Sequence, residues 1–433
     1  MNMNLERKEG CKESPIVVAS RGEEGVEPAP MQVTPKPTRS PVPGWLARSL
    51  GLALIGAEVL WGAGEGGSLL RAEDGVRTAG GTSGISYRNE KNAEKPLSVH
   101  IVKVERNRPD LVLTTTLAKG TVLDLSPLSE QMKGQATSNA RPVVGINGDF
   151  YRTEQEPFAG DPLGFQVMEG ELISSPHANH PSFWTDAKGA PHVGVVTNRF
   201  QATLPGGVVI PFEINEERLR GTARVYTPRL GASTRSSGEG KELVLERDGT
   251  GEWLPIKPCH TYTARIREIR TEPNTKLTPD TLVLSVEGAL AAGLEKVHPG
   301  ETLTLAFPTE PQTLGCETAI GGGPTLLRNG QTPDYKARDE RHPRSAFGWN
   351  DTHWFFVEVD GRQSNLSIGM KLPELSEYLA KLGVKEAINL DGGGSATLWL
   401  YGQVVNSPCY GYERNTANGL VILRKETPRR EPD

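Results

Sequence analysis

The sequence predicts a sheet-dominated α+β fold, and three observations carry that expectation. Its 433 residues include 49 Gly and 33 Pro, which supply turns. Runs of alternating apolar and polar residues recur between Gly, Pro, Asn and Asp clusters, the pattern of half-buried strands. Helical spacing of apolar residues occurs in only a few short segments. The length suits one large domain with an insertion, or a few smaller ones. A net charge of −5 gives no reason to expect nucleic acid or an anionic membrane surface as a partner. No protein partner is inferred either.

The elements follow in chain order. Residues 1–44 are polar, Pro-rich and aperiodic, and read as disordered. In residues 45–67, WLARSLGLALIGAEVLWGAGEGG, Arg48 precedes a mostly apolar run and small residues follow. That order reads as an export signal, or as a membrane anchor over residues 45–64, and predicts a periplasmic, extracellular or anchored protein. Glu58 interrupts the run, and a short amphipathic helix of no targeting value fits the same residues. A globular texture spans residues 85–425. Residues 97–105 and 110–117 read as two strands of a hairpin. Residues 125–134 read as a short helix, and 142–151 as an apolar strand. Residues 163–175 read as a hairpin turned at Glu169-Gly170. Residues 183–310 read as a β-rich accessory insertion, with one helix at GALAAGLEKV. A second helix starts at Pro373, carries Leu375, Leu379 and Leu382 on one stripe, and stops before Gly383. Residues 426–433 form a charged tail. The four cysteines lack any C-x-x-C pair, and pairing of Cys316 with Cys409 is left open.

The chemistry-like residues crowd into four segments. In INLDGGGSATLWL (388–400), Asn389 and Asp391 are expected to share the polar face at a strand end. Gly392, Gly393 and Gly394 follow, and their N–H groups are expected to form an anion-binding nest. Ser395 and Thr397 are expected to place hydroxyls on the next strand. GINGDFY (145–151) repeats the theme with Asn147, Asp149 and Tyr151 on one face. IGGGPTLLRNG (320–330) supplies Gly321, Gly322 and Gly323. RHPRSAFGWN (341–350) supplies Arg341 and Arg344, whose planar forks suit phosphate or carboxylate. Each part has a plainer reading: Asp-Gly and Gly-Gly are common turn signals, and Arg344 reads equally as half of a surface ion pair.

Other chemistries fit poorly. No G-x-x-x-x-G-K-[ST] or H-E-x-x-H is present. His177, His180 and His192 have weak metal spacing. GGSAT around Ser395 lacks the last glycine of a nucleophile elbow, so a Ser395–His342 hydrolase is a minor alternative. Trp349, Trp354 and Trp399 are candidates for stacking on sugars, although Trp399 reads more readily as core.

Taken together, these four segments resemble the phosphodiester glycosidase domain, the family of N-acetylglucosamine-1-phosphodiester α-N-acetylglucosaminidase and its bacterial relatives, some of them exopolysaccharide-related. The resemblance covers roughly residues 85–425. It implies a mixed α+β domain whose loops meet at one pocket. It also implies hydrolysis of the bond between a sugar's anomeric carbon and a phosphodiester, on glycan or cell-envelope material. Carried over, Asp391, Asp149 and Arg344 would be catalytic. Asn147, Asn389, Arg341, Gly322, Gly323, Gly393, Gly394 and Ser395 would bind substrate. Arg344 and the glycine N–H groups would hold the phosphate, Asp391 would act at the anomeric carbon, and Asp149 would be the second carboxylate. Asp149 stands where many members have a small residue, Ser345 where Thr is common and Ala396 where Ser is common, which bears on substrate choice. No cofactor or metal is expected, with Ca2+ on the Asp pair as the alternative. A non-catalytic carbohydrate-binding or exopolysaccharide-assembly protein is the rival reading.

Overall fold

The computed structural model describes residues 84–92, 94–153, 157–333 and 340–426. All of them lie in one compact unit, Ala72–Asp433. The segments expected to be disordered (1–44) and to act in export or anchoring (45–67), and the tail beyond residue 426, fall outside the described residues.

Strands dominate, as alternation and turn chemistry require. Among the described residues they form a six-stranded sheet, an eight-stranded sheet, two five-stranded sheets and a two-stranded ribbon, with two α-helices, α1 (Leu128–Gly134) and α2 (Leu372–Lys381). The eight-stranded sheet is built wholly from strands between Gln201 and Ala306. Its strand Thr261–Arg270 alternates exposed and buried side chains along its first seven residues. Tyr262, Ala264 and Ile266 point into a core that includes Phe200, Phe212 and Phe307. GALAAGLEKV forms a 3-10 turn, Gly288–Leu294, instead of an α-helix. Two glycines and a Leu294 stripe too short to bury one face leave little to favour a regular helix.

The six-stranded sheet places the chemistry. Its strands Leu97–Glu105, Arg344–Trp349, His353–Val359 and Glu386–Asn389 are apolar on both faces, as central strands between two layers must be. One face, with Val99, Ile101, Phe355, Val357 and Ala387, packs against Leu375 and Leu379 of α2. Each of these fully buried leucines contributes about 1.5–3 kcal/mol. Helix α2 starts at Leu372-Pro373, where Glu374 accepts from Lys371 N at 3.1 Å, and stops at Gly383 with φ +80°. The other face, with Val102, Phe347, Phe356 and Ile388, meets Val144, Ile146, Phe183, Ile320, Leu398 and Leu420 from the two five-stranded sheets.

The hairpin expected at residues 97–117 does not form. Leu97–Glu105 pairs with Ile85–Asn92 and His353–Val359, whereas Leu111–Leu117 pairs with Asn418–Lys425 in another sheet. The Glu169-Gly170 hairpin does form, with both turn residues at positive φ (51° and 79°). Cys259, Cys316 and Cys409 are free thiols. Cys316 Sγ rests on Thr318 O at 3.4 Å and Cys409 Sγ on Gly393 O at 3.6 Å, so the 316–409 pairing is not present.

Candidate functional site

Three sheets end at one place. Strand Ala140–Asn147 of one five-stranded sheet, Thr318–Gly321 of the other and Glu386–Asn389 of the six-stranded sheet all stop there. Asn147 and Asn389 are last residues of strands, and Asp149 and Asp391 lie just beyond, in irregular backbone. Asp391 therefore does not share a strand face with Asn389. Ser395 lies in a 3-10 turn, Gly393–Ser395, and the following strand begins only at Leu398.

Asn147 is a brace. Its Nδ2 donates to Asp391 O (2.5 Å), while its Oδ1 accepts from Thr397 N (3.0 Å). Both ends of the glycine loop are thus tied to one amide. Thr397 N can only donate, which fixes which atom of the amide is oxygen. The Ser345 hydroxyl is hydrogen-bonded to both Asn147 Oδ1 and Glu358 Oε2, 2.7 Å each. Its one hydrogen serves Asn147 Oδ1, so the proton of the second bond belongs to Glu358. Complete burial, with Asp360 adding to it, drives the Glu358 carboxyl well above the usual range, in agreement with that proton.

Asp391 is the site's perturbed carboxylate. Burial raises it from its usual 3.8 to about 6; nearby Asp149 pushes the same way, while the Ser395 hydroxyl and Arg414 pull it down. Arg414 also lies over the Tyr151 ring, 5.5 Å from its centroid. Burial raises the Tyr151 phenol, and Arg414 lowers it. Asp149 is buried; its Oδ1 accepts from Phe150 N and from His180 Nε2, 2.8 Å each. Its Oδ2 is buried without a hydrogen-bond partner, as are Ser182 Oγ, Asn389 Oδ1 and Thr397 Oγ1. Gly321 and Gly164 make the room: a Cβ on Gly321 would overlap Asp149 Oδ2, and one on Gly164 would overlap His180 Cδ2.

Several expected roles change. Arg341 forms a bidentate ion pair with Glu374 at the start of α2. The Arg344 guanidinium donates to Met370 O and Glu340 O, 3.0 Å each. These bonds tie both arginines to the segment around Met370 and the start of α2. The glycine loops spend part of their N–H set on the backbone, while the Gly392 N–H turns to the Asp391 carboxylate. Gly393 N donates to Pro343 O, Ser395 N to Gly392 O, Gly322 N to Pro181 O and Gly323 N to Asn389 O. The glycines serve close approach instead: a Cβ on Gly322 would collide with Asn389 O, and one on Gly392 with Pro343 O. Asn389 Nδ2 donates to Gly323 O (2.7 Å), joining the two loops. His342 contacts Arg362 and Glu340, not Ser395. His177, His180 and His192 diverge to Glu216, Asp149 and Asp186. Trp349 and Trp354 are buried around Phe183 and Phe347, and Trp399 is core.

The Asp pair fits Ca2+ poorly. Asp149 Oδ1 is already an acceptor from two donors and the Asn147 amide is used at both ends. Among the described residues no group of three or more His, Cys, Asp or Glu is placed to hold a metal ion. His180 and Arg414 are the residues that sequence reasoning missed as partners of the carboxylates. His180 was visible only as a weak metal spacing. Arg414, in YGYERNTANG, is a lone cation in a glycine- and tyrosine-rich loop just before an apolar strand, which is a faint signal. Among the described residues no helix is long and apolar enough to cross a membrane.

Residues 264–423 match a family model described as phosphodiester glycosidase. No curated protein matches the chain. Among solved structures, a hypothetical protein from Synechocystis superposes with TM-score 0.63 at 18% identity. That match covers 79% of this chain and 62% of that one, so this chain spans less than two thirds of that protein's length. A Burkholderia pseudomallei protein described as exported superposes with TM-score 0.59 at 20% identity, covering 75% and 74%. Both likenesses are of fold alone. The zebrafish N-acetylglucosamine-1-phosphodiester α-N-acetylglucosaminidase catalytic domain matches at TM-score 0.40 and 15% identity, covering 78% and 81%, too distant to argue from.

Proposed function

From the phosphodiester glycosidase region that the chain carries at residues 264–423, we propose that the protein hydrolyses the bond between a sugar's anomeric carbon and a phosphodiester, in glycan or cell-envelope material. The observation that carries the reading is Asp391: a half-buried carboxylate raised to about 6, with a cation, Arg414, and a second carboxylate, Asp149, beside it. Above pH 6 Asp391 is ionised and takes the proton of the attacking water. The water oxygen bonds to the anomeric carbon, the C–O bond to phosphate breaks with its electron pair on oxygen, and a free sugar and a phosphomonoester result. Arg414, in place of Arg344, lies on the phosphate side and offsets the charge that develops there. Asp149 holds His180 by its Nε2–H and so fixes the ring at the site's edge. Asn147 and Asn389 hold the two glycine loops in register.

Export fits the same reading. Its support is the order of Arg48, apolar run and small residues at 45–67, together with a fold shared with a protein described as exported.

The test is release of reducing sugar from a panel of sugar-1-phosphodiesters by the purified full chain, Asp391→Asn, Arg414→Ala and Arg344→Ala. The expected result is turnover by wild type, a loss of at least 100-fold in Asp391→Asn and Arg414→Ala, and a much smaller loss in Arg344→Ala. Turnover that survives in Asp391→Asn removes that carboxylate from the chemistry. Sugar binding without turnover by any of the proteins favours a carbohydrate-binding module.

A further inference from the structure

We propose that the rim of this site carries a second-sugar subsite for a negatively charged glycan unit, so that the substrate is an anionic glycan chain and not a lone capped sugar. The inference rests on the glycosidase reading for the word substrate, and on geometry alone for the subsite.

Tyr410 and Tyr412 are 55% and 66% exposed, yet their rings stack with centroids 6.1 Å apart and planes 28° apart. Single surface aromatics are ordinary, but this pair is seated on the glycine loop that follows Asp391. A Cβ on Gly394 would overlap Tyr410 Cε2, so the ring lies directly on the bare backbone of that glycine. On the preceding residue, a Cβ at Gly393 would fall 3.1 Å from Arg362 Nη2. Arg362 is a non-glycine residue at φ +59°, an uncommon conformation that persists only where the surroundings impose it. Its guanidinium meets His342 Nδ1 at 3.2 Å, and among the described residues no carboxylate forms a salt bridge with it.

The two loops that carry these side chains are built as one. Ser407 N donates to Asp360 Oδ1 (2.7 Å), Gln363 Nε2 to Ser407 O (2.8 Å) and Ser407 Oγ to Gln363 Oε1 (3.0 Å). Asp360 is in turn held by buried His100 at 2.9 Å. The tied loops therefore set Tyr410 and one cation, Arg362, on the same glycine triplet, with Tyr412 stacked on Tyr410. A ring face with a polar hydroxyl rim matches the apolar face and hydroxyl edge of a pyranose. A planar guanidinium matches a phosphate or carboxylate on that sugar.

The test is calorimetric binding of sugar-phosphate oligomers, uronic acid oligomers and neutral oligomers of the same length to the full chain, Tyr412→Ala and Arg362→Gln. Wild type is expected to bind one anionic class at least tenfold more tightly than the neutral one, and which class wins names the anion. Tyr412→Ala is expected to weaken all binding about tenfold, and Arg362→Gln to erase the preference for charge. Wild-type affinity in both variants, or no wild-type binding to any oligomer, overturns the subsite. If the expected binding losses occur but no sugar-1-phosphodiester is turned over, the subsite stands and the glycosidase reading falls.

Discussion

Asp391→Asn is expected to make the protein more stable near neutral pH while abolishing turnover. Burial disfavours the ionised carboxylate, so the folded-state value, about 6, lies above the usual 3.8. Unfolding is then hardest at low pH. The contribution declines as pH rises from 3.8 to about 6 and is fully lost above that. A displacement of this size corresponds to about 3 kcal/mol in all. Between pH 4 and pH 7.5 about 2–3 kcal/mol of it is traversed. Asparagine keeps the shape and cannot ionise, so its stability lacks this decline. With about 2.1 cal/mol/K of unfolding entropy per residue, a body of about 340 residues has about 0.7 kcal/mol/K. The gap between variant and wild-type melting temperatures should therefore widen by about 3–4 °C in favour of Asp391→Asn across that range. Differential scanning fluorimetry in a pH series reads this directly. Parallel curves for the two proteins would refute the claim that the fold holds Asp391 at a raised value. Wild-type turnover should rise with pH through about 6 and should have no such limb in the variant.

Two further outcomes follow from the packing. Glu358→Gln should melt within about 1 kcal/mol of wild type, because its amide can still donate to Ser345, whereas Glu358→Ala should cost about 2–4 kcal/mol by urea unfolding, from a cavity and a lost donor. Gly321→Ala should drive the Asp149 carboxylate off His180, with about 1–3 kcal/mol lost in stability and at least a tenfold loss of sugar release.

The sequence was a good guide to which polar residues meet and a poorer one to how they are bonded. Asn147, Asp149, Asn389 and Asp391 stood out as polar residues at the ends of apolar runs, and the structure brings all four to one junction. Helix α2 was readable from Pro373 to Gly383 because caps and apolar stripe are local. Strand partnership is not local, and the false hairpin at 97–117 came from proximity in sequence between strands of different sheets. The glycine triplets were read as donors, but donors can be taken by backbone carbonyls far along the chain or close by, as Gly393 N is by Pro343 O and Ser395 N by Gly392 O. The arginines show the same limit. Arg344 looked like an anion ligand by type, and two of its hydrogen bonds go to the Met370 and Glu340 carbonyls. Arg414 sat in a loop whose destination only the fold reveals. Glu358 was not singled out in the sequence; its role as a donor required knowing that Ser345 sits opposite and Asn147 behind.

The brace at Asn147 has a consequence for the life of the chain. Its hydrogen bonds reach Asp391 across 244 positions and Thr397 across 250, and Asp149 is held by Asn418 across 269. Neither carboxylate has its working surroundings until the last strand, Asn418–Lys425, has docked. Under the glycosidase reading proposed above, an unfolded chain would be chemically silent, and one exported before folding would carry no hydrolytic hazard to the compartment that made it. A truncation before residue 418 should then yield no sugar release.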